Sequence, residues 1–336
     1  MTKLLSITIP TYNRAPQLYI QLAWFANEIE GFEDECDITV YDNCSTDHTQ
    51  TVIQEWQQVM GESTLRSVRN SENIGGMRNL ALGLSESKSR FTWTVGDDDP
   101  IDAGTLNFVL QTLRKYPDLG LLYLNYSAYY TTIDQVNPDP WFPTDFEQRP
   151  VAGKMAFQRC IEGHYTVGGV IFLTATIFRT EFTQTALQKW PESVKNWGGM
   201  AFWTGYCATQ GDIFVTQDKY LVCVVGASQW EQEKKIFTRS LAKDIPEVCW
   251  KLQELGYSHQ MSRRVILKSL GSYFYWCNDL LAYLRPFKDW PLQMAAVGAF
   301  TLASFGSSAL EATRLKEPAE PLGRAIGYRV ASEREQ

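Results

Sequence analysis

Asp97, Asp98 and Asp99 stand side by side in Thr94-Val95-Gly96-Asp97-Asp98-Asp99-Pro100-Ile101-Asp102, directly behind the apolar run 91–95. Adjacent carboxylates repel one another unless a cation or water lies among them. The run is therefore either a solvated turn or a divalent-cation site directed at a phosphate. Magnesium and manganese prefer oxygen ligands and often share them with substrate phosphates, which suits the second reading. Three more polar clusters follow apolar runs: Thr11-Tyr12-Asn13-Arg14, Asp42-Asn43-Cys44-Ser45 and the stretch 70–76. Arg14 and Arg78 offer positive charge. Gly75-Gly76 lack side chains and let backbone approach a ligand closely.

The elements that must position these clusters alternate between strand and helix signals. Strands are expected at 5–9, 38–41, 65–69, 91–95 and 119–126. Helices are expected at 15–28, 47–60, 76–85 and 102–116, with Thr46-Asp47 and Asp102 offering capping oxygens. Such alternation predicts a mostly parallel, doubly wound α/β sheet. Ligands bind at the carboxyl ends of strands in such sheets, and all four polar clusters fall there. Residues 131–150, rich in Pro, Asp and aromatics, read as a long loop. Residues 151–230 mix both signals, and the chain reads as helical from Ser240.

Composition narrows the function. With 336 residues and 44% hydrophobic content, the chain can bury a large core. A net charge of −7 argues against a general nucleic-acid binder. The seven scattered cysteines contain no C-x-x-C pair, and only three histidines occur. That set suits buried thiols in a reducing compartment better than a disulfide framework or a zinc centre. The first residues lack the apolar run and cleavage site of a signal peptide, so a cytoplasmic location is expected.

The segment Ser6-Ile7-Thr8-Ile9-Pro10-Thr11-Tyr12-Asn13-Arg14 resembles the opening strand of family 2 glycosyltransferases. Asp37-Ile38-Thr39-Val40-Tyr41-Asp42-Asn43-Cys44-Ser45-Thr46-Asp47 resembles their second strand and D-N-x-S-T-D turn. The stretch from Arg69 to Asn79, with Asn73, Gly75 and Arg78, resembles their N-x-G…R-N loop, and the acidic run is similar to their D-x-D region. These motifs occur in the family's order over about the first 105 residues. The resemblance implies a GT-A fold, a nucleotide-sugar donor (UDP-, GDP-, CDP- or dTDP-linked) and a Mn2+ or Mg2+ cofactor. It implies that Pro10, Thr11 and Tyr12 line the base pocket and that Asp42 accepts a hydrogen bond from the base or ribose. Arg14 is expected at a phosphate. Asn73, Gly75 and Arg78 are expected near the nucleotide or diphosphate, with Arg78 alternatively pairing with the acidic run. Aligning D-x-D-D on 95–99 puts the first Asp at Gly96. Asp98 is then the first choice for the metal and Asp99 the second, with Asp97 reaching the ribose or the metal. A nucleotidyltransferase fits less well, because no Gly-rich, Lys-containing phosphate loop follows the first strand.

Inverting members need a carboxylate to deprotonate the acceptor hydroxyl, usually in a W-G-E-D-type motif. Here the matching stretch is Asn196-Trp197-Gly198-Gly199-Met200, and neither Gly199 nor Met200 can take a proton. Glu192, His164 and Asp212 are the candidate substitutes, in that order. The departure also leaves open a catalytically silent nucleotide-sugar-binding protein of a polysaccharide assembly system.

The expected organisation is a nucleotide-sugar-binding half over 1–125, an acceptor-binding half over 126–235, a helical extension over 236–315 and a tail over 316–336. Residues 290–310 carry no charge, a length sufficient to span a bilayer, but their Ser, Thr, Gly and Ala content makes them only mildly apolar. A packed helix or self-association surface is expected there first, and peripheral contact with the inner face of a membrane second. The expected reaction is transfer of a sugar to a glycan or lipid-linked acceptor, with inversion, in cell-surface polysaccharide or glycoconjugate synthesis.

Overall fold

The computed structural model describes residues 3–131, 133–163, 167–226 and 239–276. Residues 1–266 form one compact unit, and a second begins at Leu267. His164, the stretch 290–310 and the tail lie outside the described residues.

The sheet has eight strands: β1 (Leu5–Thr11), β2 (Cys36–Asp42), β3 (Leu65–Arg69), β4 (Phe91–Thr94), β5 (Leu121–Tyr130), β6 (Gln135–Asn137), β7 (Thr176–Arg179) and β8 (Ile213–Val225). Its order is β3-β2-β1-β4-β7-β5-β6, with β8 on the other edge of β5. β1, β2, β3 and β4 are parallel, as are β5 and β8; β7 runs antiparallel to both β4 and β5. The expected parallel, doubly wound half is present, with β7 as the inverted insertion. β1 is buried on both faces: Leu5, Ile7 and Ile9 are fully buried on one, and Ser6 and Thr8 are buried on the other, as a central strand covered by helices requires. Each such apolar side chain contributes about 1.5–3 kcal/mol relative to exposure.

The helices are α1 (Ala15–Glu28), α2 (Thr49–Met60), α3 (Gly76–Glu86), α4 (Thr105–Lys115), α5 (Gly153–Ile161), α6 (Thr180–Lys189), α7 (Gly199–Gln210), α8 (Ile245–Glu254) and α9 (His259–Trp276). Leu18, Leu22 and Phe25 place the buried stripe of α1 at helical spacing. The two expected caps fare differently. Asp102 does not cap α4 with its carboxylate; its backbone carbonyl accepts from Thr105, and the cap residue is Gly104 in the left-handed region. Asp47 serves two helix starts: Oδ1 accepts from the Thr49 amide at 3.0 Å, and Oδ2 accepts from the Ala15 amide at 3.1 Å. One short carboxylate thereby ties α1 to α2.

The boundary expected at 125 falls inside β5, so both halves share one sheet. The boundary expected at 236 leaves α8 and the first part of α9 in the same unit as that sheet. Within the 131–150 loop a short strand, β6, pairs with the end of β5.

Candidate active site

The strand order reverses direction between β1 and β4, and ligand sites of doubly wound sheets lie at that switch point. Thr11 ends β1 and the acidic run follows β4. The Thr11 hydroxyl donates to Asp97 Oδ2 at 2.7 Å, bridging the gap between the two strand ends. Arg14 Nη1 donates to Asp97 Oδ1 at 3.3 Å and also pairs with Asp98. The cation required among adjacent carboxylates is thus supplied by the cluster after β1.

The three carboxylates differ in setting. Asp97 and Asp99 are buried, while the Asp98 side chain keeps 25% exposure. Asp99 bonds to the Thr174 hydroxyl, which also accepts from the Gly96 amide at 2.8 Å. The Trp93 indole donates to the Thr174 carbonyl at 2.8 Å. Thr174, in the short 3-10 helix Leu173–Ala175 before β7, therefore pins the run from outside it. A Cβ at Gly96 would stand 2.3 Å from Asp99 Oδ2. A side chain at position 96 would displace the Asp99 carboxylate from its place beside Thr174.

Burial pushes the Asp99 carboxyl up to about 8, reinforced by the charge of Asp98. Burial also raises Asp97, to about 6, against the lowering effect of Thr11 and Arg14. The sign for stability follows from linkage. A carboxyl raised in the fold binds more protons folded than unfolded, so its contribution is complete below pH 3.8 and is lost as pH rises through about 8. We expect the melting temperature of the metal-free protein to fall from pH 5 to pH 8, and less so in Asp99→Asn. Mn2+ should raise it more at pH 8 than at pH 5, because the cation displaces the proton. Thermal scans of both proteins, with and without Mn2+, check this; identical pH profiles would contradict it.

The donor set fits a magnesium or manganese ion. It is all carboxylate, it carries excess buried negative charge, and Asp98 is its accessible member. Among the described residues no group of three or more His, Cys, Asp or Glu side chains is arranged as a metal cage.

The remaining clusters form a stapled rim. Asp42 is fully buried. Its Oδ1 accepts from the Ser45 amide at 2.9 Å, its Oδ2 accepts from Gln50 Nε2 at 2.6 Å, and Arg69 Nε stands 3.5 Å from Oδ2. Its carboxylate shapes the 43–45 turn and does not face outward as a free acceptor for a base or ribose. The Asn13 amide N–H donates to Ser45 Oγ at 2.9 Å, and Asn13 Oδ1 accepts from the Thr46 amide at 2.7 Å, which fixes the β1 loop to the β2 loop. Pro10 and Tyr12, both partly exposed, sit on this rim. Asn73 Oδ1 accepts from Asn43 Nδ2 at 2.8 Å and from the Gly75 amide at 2.9 Å. Gly75, at φ +89°, begins α3 in the left-handed region where glycine is favoured. Asn79, the last residue of the N-x-G…R-N stretch, accepts from Asn70 Nδ2 at 2.9 Å and donates to the Tyr41 carbonyl at 2.8 Å.

The acceptor-side motif leads into α7. A Cβ at Gly199 would stand 2.2 Å from the Ser193 carbonyl oxygen, and Met200 is buried. Behind it lies Asp244, missed from sequence because it is 47 residues from Trp197. Its Oδ2 accepts from the Trp197 amide at 3.3 Å, Oδ1 accepts from Arg239 Nε at 3.3 Å, and its backbone carbonyl accepts from Asn196 Nδ2 at 3.1 Å. Burial raises its carboxyl despite the neighbouring Arg239. Glu192 is exposed, in the 3-10 helix Pro191–Lys195, and pairs with Lys195 at 2.6 Å. Asp212 does not join the site. It precedes β8, and its backbone carbonyl accepts from the Gly120 amide beside the start of β5, at the amino edge of the sheet opposite Asp97–Asp99.

The chain is similar to known proteins in sequence and in fold. Over 187 residues the chain is 29% identical to abequosyltransferase RfbV of Salmonella typhimurium, covering 53% of each chain. Over 101 residues it is 30% identical to poly(ribitol-phosphate) beta-N-acetylglucosaminyltransferase TarS of Staphylococcus aureus, covering 30% of this chain and 17% of that one. The chain thus spans about half of the first relative's length and less of the second. In structure it is similar to residues 1-349 of S. aureus TarS in complex with UDP-GlcNAc, at TM-score 0.58 and 16% identity, over 90% of this chain and 81% of that one. A mannosyltransferase from Pyrobaculum calidifontis in complex with GDP-Man and Mn2+ matches at TM-score 0.50 and 15% identity, over 94% and 89%. These likenesses show the GT-A fold. The profile described as Glycosyl transferase family 2 matches residues 6–178, just over half of the 336, and so spans the strand ends, the acidic run and Thr174: the chain belongs to that family.

Proposed function

We propose that this protein transfers a sugar from a nucleoside-diphosphate donor to a glycan or lipid-linked acceptor, with inversion, in the synthesis of a cell-surface glycan. The observation that carries the reading is the Thr11–Asp97 bridge across the β1/β4 switch point, with Arg14 held against Asp97 and Asp98. The names of the relatives, which describe transfer of abequose and of N-acetylglucosamine, support the glycan class. The UDP-GlcNAc and GDP-Man complexes of the similar structures support a nucleotide-sugar donor.

In this reading Pro10, Thr11 and Tyr12 line the nucleotide pocket. Asp98 is the principal metal ligand, with Asp97 or Asp99 beside it. A Mn2+ or Mg2+ bound there would neutralise charge growing on the leaving diphosphate. The acceptor oxygen attacks the anomeric carbon as the bond to the diphosphate breaks, and its proton passes to a base. Among the described candidates Glu192 is the one that flanks the acceptor-side motif. The described cysteines are free thiols, most of them buried. No helix among the described residues is long and apolar enough to cross a membrane.

The blocked Gly199 position favours one competing reading, a binder that does not turn donor over. Metal-dependent hydrolysis or transfer from a panel of radiolabelled nucleotide sugars separates the two, since only the enzyme releases sugar. We expect Glu192→Gln to lower kcat by about 100-fold or more with little change in KM for the donor, the size of a lost general base. Turnover within about threefold of wild type would remove Glu192 from this role.

A further inference from the structure

The outer side of α1 and α2 carries an apolar patch that the fold does not use. Of the eight exposed large hydrophobic side chains among the described residues, three stand on these two helices: Tyr19, Ile20 and Val59. Such a cluster differs from the singly scattered apolar residues of an ordinary surface. Ile20 and Val59 keep 70% and 69% of their surface. The Tyr19 ring leans on the Trp56 ring at 5.3 Å between centroids, which joins the two halves of the patch. Helical spacing sets Pro16, Tyr19, Ile20 and Ala23 on one flank of α1, with Val52, Trp56 and Val59 on the facing flank of α2.

The same helices are almost free of charge. The 14 residues of α1 hold one charged side chain, Glu28 at the last position, and the 12 of α2 hold one, Glu55; neither helix has a lysine or arginine. An anionic lipid surface or a nucleic acid is held by such cations, so neither fits this face. A second copy of the chain does. A two-fold contact brings each residue close to its own counterpart, where like charges repel. Copies of a chain with net charge −7 therefore meet best across a face with few charges. At its border the Asp47 carboxylate is already bound to the Thr49 and Ala15 amides. The shape is also self-complementary, as a two-fold contact requires. Beside the projecting Ile20 and Val59 lies an open cavity of about 490 Å3 between the two helix starts, walled by Pro16, Tyr19 and Val52.

We infer that this face is a two-fold contact between two copies of the chain, with Ile20 and Val59 of each copy set into the α1–α2 groove of the other. The aromatic pair Tyr19 and Trp56 lies at its centre, where the residues that dominate an interface belong. Two helices about 20 Å long with axes about 10 Å apart offer roughly 400 Å2 per copy, below the size of a standard interface. The dimer is therefore weak, with a Kd of about 10–100 µM. The contact does not depend on the reaction assigned to the strand ends.

Sedimentation velocity on the full chain, from about 1 to about 300 µM, reads the contact directly. Wild type is expected to pass from monomer to dimer across that range. The double variant Ile20→Glu, Val59→Glu should weaken the dimer about tenfold or more, because it sets four carboxylates into an apolar contact. Both positions are exposed, so the melting temperature of the variant should stay within about 3 °C of wild type at low concentration. Ile20→Ser, which adds no charge, keeps the test decisive if the double variant unfolds: it should weaken the dimer about threefold or more. Wild type that stays monomeric at about 300 µM overturns the proposal, and a large fall in the variant's melting temperature beside it would assign the face to a segment of the same chain. A wild-type dimer that these variants leave unchanged also overturns it, and places self-association elsewhere in the chain.

Discussion

Asp98→Ala is expected to abolish the metal-dependent part of nucleotide binding and to lower turnover by about 1,000-fold or more, equivalent to about 4 kcal/mol of transition-state stabilisation, while the fold survives. The survival follows from its setting. Asp98 keeps a quarter of its side-chain surface and repels two buried neighbours. Its removal relieves that repulsion and leaves Arg14 paired with Asp97. Stability should therefore stay within about 1 kcal/mol of wild type. A melting curve and a donor-hydrolysis assay on the same preparation check both halves. An unfolded variant, or one that still responds to Mn2+ as wild type does, would count against the assignment of Asp98.

The second large effect concerns the site's most conspicuous departure. Gly199→Glu, which restores the family's carboxylate on paper, is expected to destabilise the protein by about 3 kcal/mol or more and to gain no activity. The new Cβ would stand 2.2 Å from the Ser193 carbonyl oxygen, and its nearest neighbours include backbone atoms that cannot swing aside. At roughly 2–4 °C per kcal/mol for a unit of this size or somewhat smaller, the melting temperature should drop by about 6–12 °C. A stable Gly199→Glu protein with higher turnover would show that the 193–199 turn opens readily, and that the missing base is a matter of sequence alone.

Much of the nucleotide half was legible from sequence because its signals are local. Apolar periodicity placed α1 and β3 at their observed bounds, and strand–helix alternation put the four polar clusters on one edge. What escaped was whatever depends on residues distant in the chain. Thr174 lies 75 residues after Asp99, and their hydrogen bond holds the carboxylate over Gly96. Asp42 reads as an outward acceptor until Gln50, Arg69 and the Ser45 amide are seen around it. Asp212 looked close to the acceptor motif in sequence, but α7 carries the chain to the far edge of the sheet before β8 begins. The inverted strand β7 also left no mark in the apolar pattern, because a buried strand looks the same in either direction.

The central claim is that the strand ends of β1 and β4 bind a nucleoside diphosphate with a divalent cation at Asp98. Calorimetry against UDP, GDP, CDP and dTDP, each with and without Mn2+, tests it most directly. We expect one nucleotide to bind preferentially and to tighten about tenfold or more with Mn2+ in wild type, and Asp98→Ala to lose that gain. If no nucleotide binds, or if the best one binds equally well with and without Mn2+, the account of this site is wrong.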